Sequence, residues 1–542
     1  MTEPPRIDES AIRTLVHAFY GKVRADAELG PIFTRALDGQ WDAHLEKMCD
    51  FWSSVMLTTG RYHGNPMGTH LKLPGVTAAH FQRWLSLFRQ TAAEVCDAPN
   101  AALFVARAEN IARSLQLGMF YRAGQAAKAL ALVLLLAGLT LFGLPPAGAE
   151  DKPPSNAVEA LQQQLDAGTA TLPFATDGHG YVPGLLAALH IPRDSQLLIF
   201  SASSLQFDRI GPKTPRAIYY QDDAALGTVL DGKLIEVMAA DRDSGVAFYT
   251  LDTARADKPR FERRGSECII CHGFASRWAP GMMVANMDTG PDGKPFNIDP
   301  AHVFRLTDDR TPFEDRYGGW YVTGQTGEMH HRGNVTFDPS DPLTVPPGGL
   351  NLASVSSRIA AARYLEPGSD IVSLLTLEHE SGFVNLVTQI NAQYHGLNNP
   401  AVKPELRATQ QDIDFSIAEL AGYMTFADEV KLPSPVTGSS GFAKEFESRG
   451  PYDAAGRSLR QFDLKTQLFR YPLSYMLYSQ SFDNLNPAAK AKVLREVYEI
   501  LSKKGQGGAT ALNIAAATKK DLPDFWKAMP ERAPPLDRRP NP

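Results

Sequence analysis

An uncharged apolar run lies in the interior of this chain and divides it in two. Residues 128–150 read KALALVLLLAGLTLFGLPPAGAE, in which the 16 residues 129–144 contain only Thr140 as a polar side chain. A positive charge, an apolar stretch and a small-residue A-G-A before Glu150 are typical of a secretory signal peptide. More than a hundred residues precede the run. The two flanking parts are therefore expected on opposite sides of a membrane.

The run is short for a membrane span. At 1.5 Å per residue its helix would be about 24 Å long, against a hydrocarbon core of about 30 Å. With two more alanines and some tilt, residues 126–144 could just cross as one transmembrane helix; otherwise the segment is a signal peptide. Arg122 and Lys128 orient its N-terminal side to the cytoplasm. The predicted domains are residues 1–122, the signal or anchor 123–150, and an exported domain 151–542.

Two interpretations of the junction stay open. In one, a single inner-membrane protein has a cytoplasmic N-terminal domain and a periplasmic C-terminal domain. In the other, two separate proteins, one cytoplasmic and one periplasmic, have been joined by gene prediction or recent fusion. Met119 stands where an independent secreted protein could start. The overall charge of −6 gives no indication of a nucleic-acid partner.

The first 120 residues are helical by pattern. Ile12, Leu15, Phe19 and Val23 recur at helical spacing, and later segments repeat the pattern. Four or more amphipathic helices in this length predict a compact all-α domain. Within it, His70 in H-L-K-L-P-G precedes a Pro-Gly break. From its surroundings alone it is either a loop histidine or a ligand of haem iron.

Four sequence words resemble the group III truncated haemoglobins, in order, from about residue 7 to residue 121. They are FYGKVRADAELGPIF (19–33), WDAHLEKMCDFW (41–52), GNPMGTHLKLP (64–74) and FQRWLSLF (81–88). The resemblance implies a two-over-two helical sandwich around haem b. It also implies that His70 is the proximal ligand of the iron and that Tyr20, His44 and Trp84 line the distal, gas-binding pocket. All three distal side chains carry hydrogen-bond donors.

The exported part has a different pattern. Short β-branched and aromatic stretches at 195–201, 215–220, 233–240 and 245–251 are separated by turn residues and predict strands. Residues 371–395 and 488–503 are helical by pattern. We predict a mixed α+β domain.

The word C-I-I-C-H places Cys268, Cys271 and His272 in the signature of covalent haem attachment. The two thiols would bind the haem vinyl groups, and His272 would ligate the iron. A redox dithiol and a chance match are the alternatives. Cys49 and Cys96, before the apolar run, stand alone as reduced cytosolic thiols usually do. One such motif predicts one haem c, in the compartment where this attachment occurs.

The sequence does not single out one residue as the second axial ligand of the haem c iron. His331 in H-H-R-G-N and His379 in an apolar helix are the candidate distal residues, beside the methionines of 282–287. Words within 182–334 and 475–483 resemble a group of bacterial proteins with one haem c motif, in which the H-R-G-N histidine recurs. That resemblance favours His331 and implies a haem and a compartment, but no substrate.

For function, the sequence predicts reversible binding of dioxygen or nitric oxide by the first part and electron transfer by the haem c domain. The alternative is a haem-dependent oxidoreductase, either a nitric oxide dioxygenase or a peroxidase. The chain has no flavin or NAD-binding fingerprint. Either activity would therefore need an external electron donor or reductase.

Overall fold

The computed structural model describes two folded regions of the chain. The described residues are 7–37, 39–57, 69–70, 73, 75–120, 153–265, 268, 272, 279–295, 305–338, 344–397, 407–520 and 522. The predicted signal or anchor segment, 123–150, lies outside them, and so does Cys271. Among the helices that are described, none has the length and apolar character needed to cross a membrane.

The N-terminal region is helical, as its periodicity predicts. Its helices are α1 (Glu9–Ala25), α2 (Leu29–Leu37), α3 (Trp41–Leu57), α4 (Ala78–Val95) and α5 (Ala98–Phe120). Asp8 is the N-cap of helix α1, and its carboxylate accepts a hydrogen bond from the Ala11 amide at 2.8 Å. Its apolar face, which includes Ile12 and Phe19, is buried, and the helix packs against α3 and α4.

Aromatic stacking joins the helices of this region. The Trp52 ring stacks on Phe88 at 5.1 Å, and Phe88 stacks on Trp84 at 5.2 Å. Phe104, fully buried, meets Trp52 edge-on at 5.8 Å. Helices α3, α4 and α5 are therefore held in register around large rigid rings, which fixes the walls of the cavity described below.

The C-terminal region is built on a six-stranded antiparallel sheet whose strands follow chain order. The strands are β1 (Leu197–Ile199), β2 (Arg216–Gln221), β3 (Ala224–Thr228), β4 (Leu234–Asp241), β5 (Gly245–Asp252) and β6 (Glu262–Arg264). Two-stranded ladders join β7 (Ala285–Asn286) to β8 (Arg305–Leu306) and β9 (Gly324–Gln325) to β10 (Thr437–Gly438). The predicted mixed α+β architecture is confirmed.

Each face of the large sheet covers its own core. One face packs on α6 (Ala157–Asp166) and α7 (Val182–Ala188). The other packs on the long helix α8 (Ile371–Leu397). Around α8 lie α9 (Gln410–Met424), α10 (Phe442–Ser448), α11 (Gln480–Asp483), α12 (Pro487–Ser502) and α13 (Gly505–Thr518). Helix α8 is buried along most of its length, so its polar side chains must find partners inside the protein.

Candidate functional site

The helical region encloses an apolar cavity of about 210 Å³. Since a single water needs only about 10–15 Å³, the cavity has room for a much larger group. Its wall is mainly aliphatic and aromatic: Leu29, Ile32, Phe33, Ala36, Leu37, Met48, Phe51, Trp52, Leu73, Val76, Phe81, Ile111, Ala112 and Leu115. Its polar lining includes all four residues that the sequence predicts for the pocket: Tyr20, His44, His70 and Trp84.

His44 and His70 both contribute to the cavity wall. The Nε2 atom of His44 is buried and has no hydrogen-bond partner among the described residues. Burial, together with the charges of Lys47 and His70, lowers the pKa of His44 to about 4. The ring is therefore neutral at physiological pH. A buried, unpartnered ring nitrogen in a mainly apolar cavity indicates a bound group that supplies the missing partner.

Tyr20 and Trp84 are held in place by their neighbours. The Tyr20 ring is 5% exposed and meets the His44 ring at 5.0 Å with the planes 88° apart. Trp84 lies between Phe19, at 4.9 Å, and Phe88. The phenol, imidazole and indole therefore present three potential donors to one cavity, on side chains that have little freedom to reorient.

These residues fit haem b. A haem site needs an apolar slot, an imidazole to ligate the iron and, for gas binding, donors in the distal pocket. The sequence interpretation missed three polar residues of the lining, Lys47, Thr69 and His80. His80 accepts a hydrogen bond from the Thr77 amide through Nδ1 at 3.1 Å, in a capping box at the start of α4. The T-x-x-H spacing was its only sequence signal.

The second site surrounds His272. Its Nδ1–H donates to the Gly281 carbonyl at 2.8 Å, and its ring packs on Phe248 of β5 at 4.4 Å. That hydrogen bond leaves the lone pair on Nε2, the tautomer that a metal-ligating imidazole requires. Burial lowers the pKa of His272 to about 4. Cys268 is partly buried against the same core, and with His272 it fits the ligand set of a haem c.

His331 is buried but has a different tautomer. Its Nδ1 accepts a hydrogen bond from the Gly333 amide at 3.1 Å, so the proton resides on Nε2. Nε2 is buried and has no partner among the described residues. Ligation of iron through Nε2 would require the Gly333 hydrogen bond to break. In this arrangement His331 is a hydrogen-bond donor rather than an axial ligand.

The chain segments around Tyr317 and His331 form one folded unit. The Tyr317 ring lies 5.7 Å from the His331 ring, and the Tyr317 hydroxyl donates to Glu378 at 2.8 Å. Asn334 pairs with both backbone groups of Val322, at 2.8 and 2.7 Å. Tyr317 and Asn334 both have positive φ, 74° and 68°, a conformation that costs free energy in residues other than glycine.

His379 lies in a separate, fully buried network. Its Nδ1 faces the Asp309 carboxylate and its Nε2 faces the Ser474 hydroxyl, each at 2.7 Å. The ring stacks on Tyr423 at 5.0 Å. Both ring nitrogens are therefore engaged within the protein. The role of His379 as a distal ligand stays a prediction that this geometry does not favour.

Comparison with known proteins finds similarity for the N-terminal part. The group 3 truncated hemoglobin ctb of Campylobacter jejuni is 36% identical over 121 residues, which are 22% of this chain and 94% of that protein. A crystal structure of group III truncated hemoglobin from the same organism is 35% identical and covers 21% of this chain and 93% of that chain, with a TM-score of 0.20. No family model matches the chain.

Proposed function

The N-terminal part of this chain, about 120 residues, belongs to the group III truncated haemoglobin family, and we propose that it binds dioxygen or nitric oxide reversibly through haem b. The observation that carries the proposal is the unpartnered Nε2 of His44 in an apolar cavity that His70 also lines. His70 would ligate the iron, which supplies the coordination position for a gas. The aromatic wall would keep bulk water out.

The distal side chains would retain the gas by hydrogen bonding. Tyr20 offers a phenol O–H, His44 an imidazole N–H and Trp84 an indole N–H. A donor to a charged acceptor is worth about 1.5–3 kcal/mol. Because 1.36 kcal/mol corresponds to a tenfold change in rate, each donor would slow release of the gas by roughly ten- to a hundredfold.

Removing a distal donor should therefore accelerate dioxygen release. We expect Tyr20→Phe and His44→Leu each to raise the dioxygen dissociation rate by about ten- to a hundredfold, measured by stopped-flow spectroscopy. Phe33→Leu, which alters the same wall without removing a donor, should change that rate much less. Equal rates in all three variants would contradict the assignment of the distal pocket.

For the C-terminal region we propose a single covalent haem c that transfers electrons. The motif C-I-I-C-H and the ligand-competent tautomer of His272 support it. Cys268 and Cys271 would hold the haem, and His272 would ligate its iron. His331 would donate a hydrogen bond at the haem site. An external donor or reductase would supply the electrons.

A second candidate function is detoxification of nitric oxide or peroxide with external electron donors. The observation that favours it is the hydrogen bond from the Gly333 amide to Nδ1 of His331, which leaves the proton on Nε2, so that His331 does not ligate the iron. Oxidoreductase chemistry needs an open axial position on the iron. We further propose an inner-membrane protein with its truncated haemoglobin in the cytoplasm and its haem c domain in the periplasm. The alternative is two separate proteins in those compartments.

The haem c proposal predicts the loss of covalent haem in Cys268→Ala. We expect fractionated cells that express the natural chain to give a band positive for peroxidase-based haem staining, at the position of an immunoblot against residues 153–265. In Cys268→Ala that staining should fall sharply, because a single thioether remains, whereas Cys96→Ala should leave it unchanged. A natural chain without haem staining would contradict the proposal.

The same gel distinguishes the two interpretations of the junction. A haem-positive band of full length in the membrane fraction would support a single anchored protein. A shorter haem-positive band in the soluble periplasmic fraction would support a separate or cleaved C-terminal protein.

A further inference from the structure

An exposed apolar loop lies beside His272. Leu205 and Phe207 are 41% and 58% exposed, among the most exposed large apolar side chains of the described residues. Both belong to the segment S-L-Q-F-D-R-I (204–210), in which the resembling motif is S-L-Q-x-D-R-I, with Leu205 inside the motif and Phe207 at its unspecified position. Contiguous exposed apolar side chains mark ligand or partner sites more often than scattered ones do.

The sheet register places this loop on the same face as His272. Phe248, which packs on the His272 ring, lies directly opposite Met238 on the neighbouring strand β4. Glu236 is two residues before Met238, so both side chains point to that face. The Glu236 carboxylate accepts a hydrogen bond from the Leu205 amide at 3.1 Å. Glu236 and Phe248 are diagonal neighbours, about 7–8 Å apart.

Arg216 adds a cationic hydrogen-bond donor to this surface. Arg216 of β2 forms an ion pair with Glu236 across Gly227, where a side chain would collide with the Arg216 guanidinium. The Arg216 Nε atom is buried and has no hydrogen-bond partner among the described residues. The face therefore combines a ligand-competent imidazole, apolar contacts and an unsatisfied cationic donor. A porphyrin with two propionates has the complementary chemistry.

We infer that Leu205 and Phe207 cover the haem attached at Cys268 and His272, and that Arg216 binds one of its propionates. This inference rests on the proposed haem c. It assigns the S-L-Q-F-D-R-I loop to the haem pocket and so explains why two large apolar side chains lie exposed at this point of the surface.

The test measures, in the haem-loaded full-length protein, whether the haem shields position 207 from a reagent in solution. Phe207→Cys and, as a control, Tyr498→Cys on α12 are treated with a thiol-alkylating reagent, and labelling at each position is followed by mass spectrometry. Without a covering group, Phe207→Cys should react at least as fast as the control, because Phe207 is 58% and Tyr498 40% exposed. If haem covers the loop, Phe207→Cys should react at least tenfold more slowly.

Haem staining of the same samples separates the two proposals. Stained protein in which both cysteines react at similar rates would overturn the inference and leave haem c intact. Unstained protein would overturn haem c itself. When Cys268→Ala and Cys271→Ala remove the haem attachment, the inference requires that Phe207→Cys again be labelled fast.

A second variant tests the inference through the reduction potential of the haem. Leu205→Ser with Phe207→Ser should favour the ferric form about tenfold by exposing the haem, a shift of 59 mV for one electron.

Discussion

Replacing His70 by glycine is expected to abolish stoichiometric haem binding by the truncated haemoglobin part. His70 lines the cavity and is the proposed proximal ligand of the haem iron, and the remaining wall is mostly apolar. Loss of the hydrogen-bond partner of a metal-ligating histidine already costs 10–100-fold in affinity. Loss of the ligand itself should therefore weaken haem affinity by more than about a hundredfold, as measured by transfer of haem to apomyoglobin.

Two controls distinguish loss of the ligand from loss of the fold. His80→Ala removes another imidazole from the same cavity wall, but one whose Nδ1 caps α4, and should leave haem affinity within a few-fold of the natural chain. Added imidazole should restore a haem spectrum in His70→Gly, since it can occupy the space that the side chain leaves. Unchanged haem binding in His70→Gly would contradict the assignment.

The helical part could be predicted from the sequence almost completely. Its periodicity indicates α1, because that helix buries one continuous apolar stripe that includes Ile12, Leu15 and Phe19. The four segments that resemble group III truncated haemoglobins then point to Tyr20, His44, His70 and Trp84. The structure places all four around one cavity. Lys47 and His80 were missed, since a solvated helix residue and a capping residue have the same local pattern as a cavity residue.

The C-terminal region was predictable in class but not in its buried polar groups. Strands β2, β4 and β5 have β-branched and aromatic residues and were predicted, whereas β3, A-A-L-G-T, has little β propensity and was missed. It pairs on both sides because hairpins with β2 and β4 fix it. Helix α13, G-Q-G-G-A-T at its start, likewise depends on packing rather than propensity.

Helix α8 shows why side-chain networks escape sequence reasoning. Glu378, His379 and Glu380 are consecutive and each is at most 1% exposed. Glu378 pairs with Arg316, His379 with Asp309, and Glu380 accepts from the Tyr475 hydroxyl at 2.7 Å. These partners lie 62 to 95 residues away along the chain. Helical periodicity cannot indicate that three successive side chains are all buried, because each is stabilised by a different distant segment.

Breaking the buried ion pair between Glu378 and Arg316 is expected to destabilise the C-terminal region strongly. The two side chains are 0% and 1% exposed, with Nη1 and Oε2 2.8 Å apart. Glu378→Gln keeps the size of the side chain but leaves the Arg316 cation buried without its counter-charge. Removing one partner of a buried pair costs about 3–5 kcal/mol. Hydrogen exchange of the most protected α8 amides should accelerate by about a hundred- to a few-thousandfold.

A matched surface pair provides the control. Arg363 and Asp231 are 48% and 69% exposed at 2.7 Å, and Asp231→Asn should alter exchange in α8 by less than about fivefold, since exposed pairs contribute about 0–1 kcal/mol. Replacing both buried partners, Glu378→Leu with Arg316→Met, should recover much of the loss, because no charge then remains buried. If amide exchange in Glu378→Gln were as slow as in Asp231→Asn, the buried pair would not stabilise the fold.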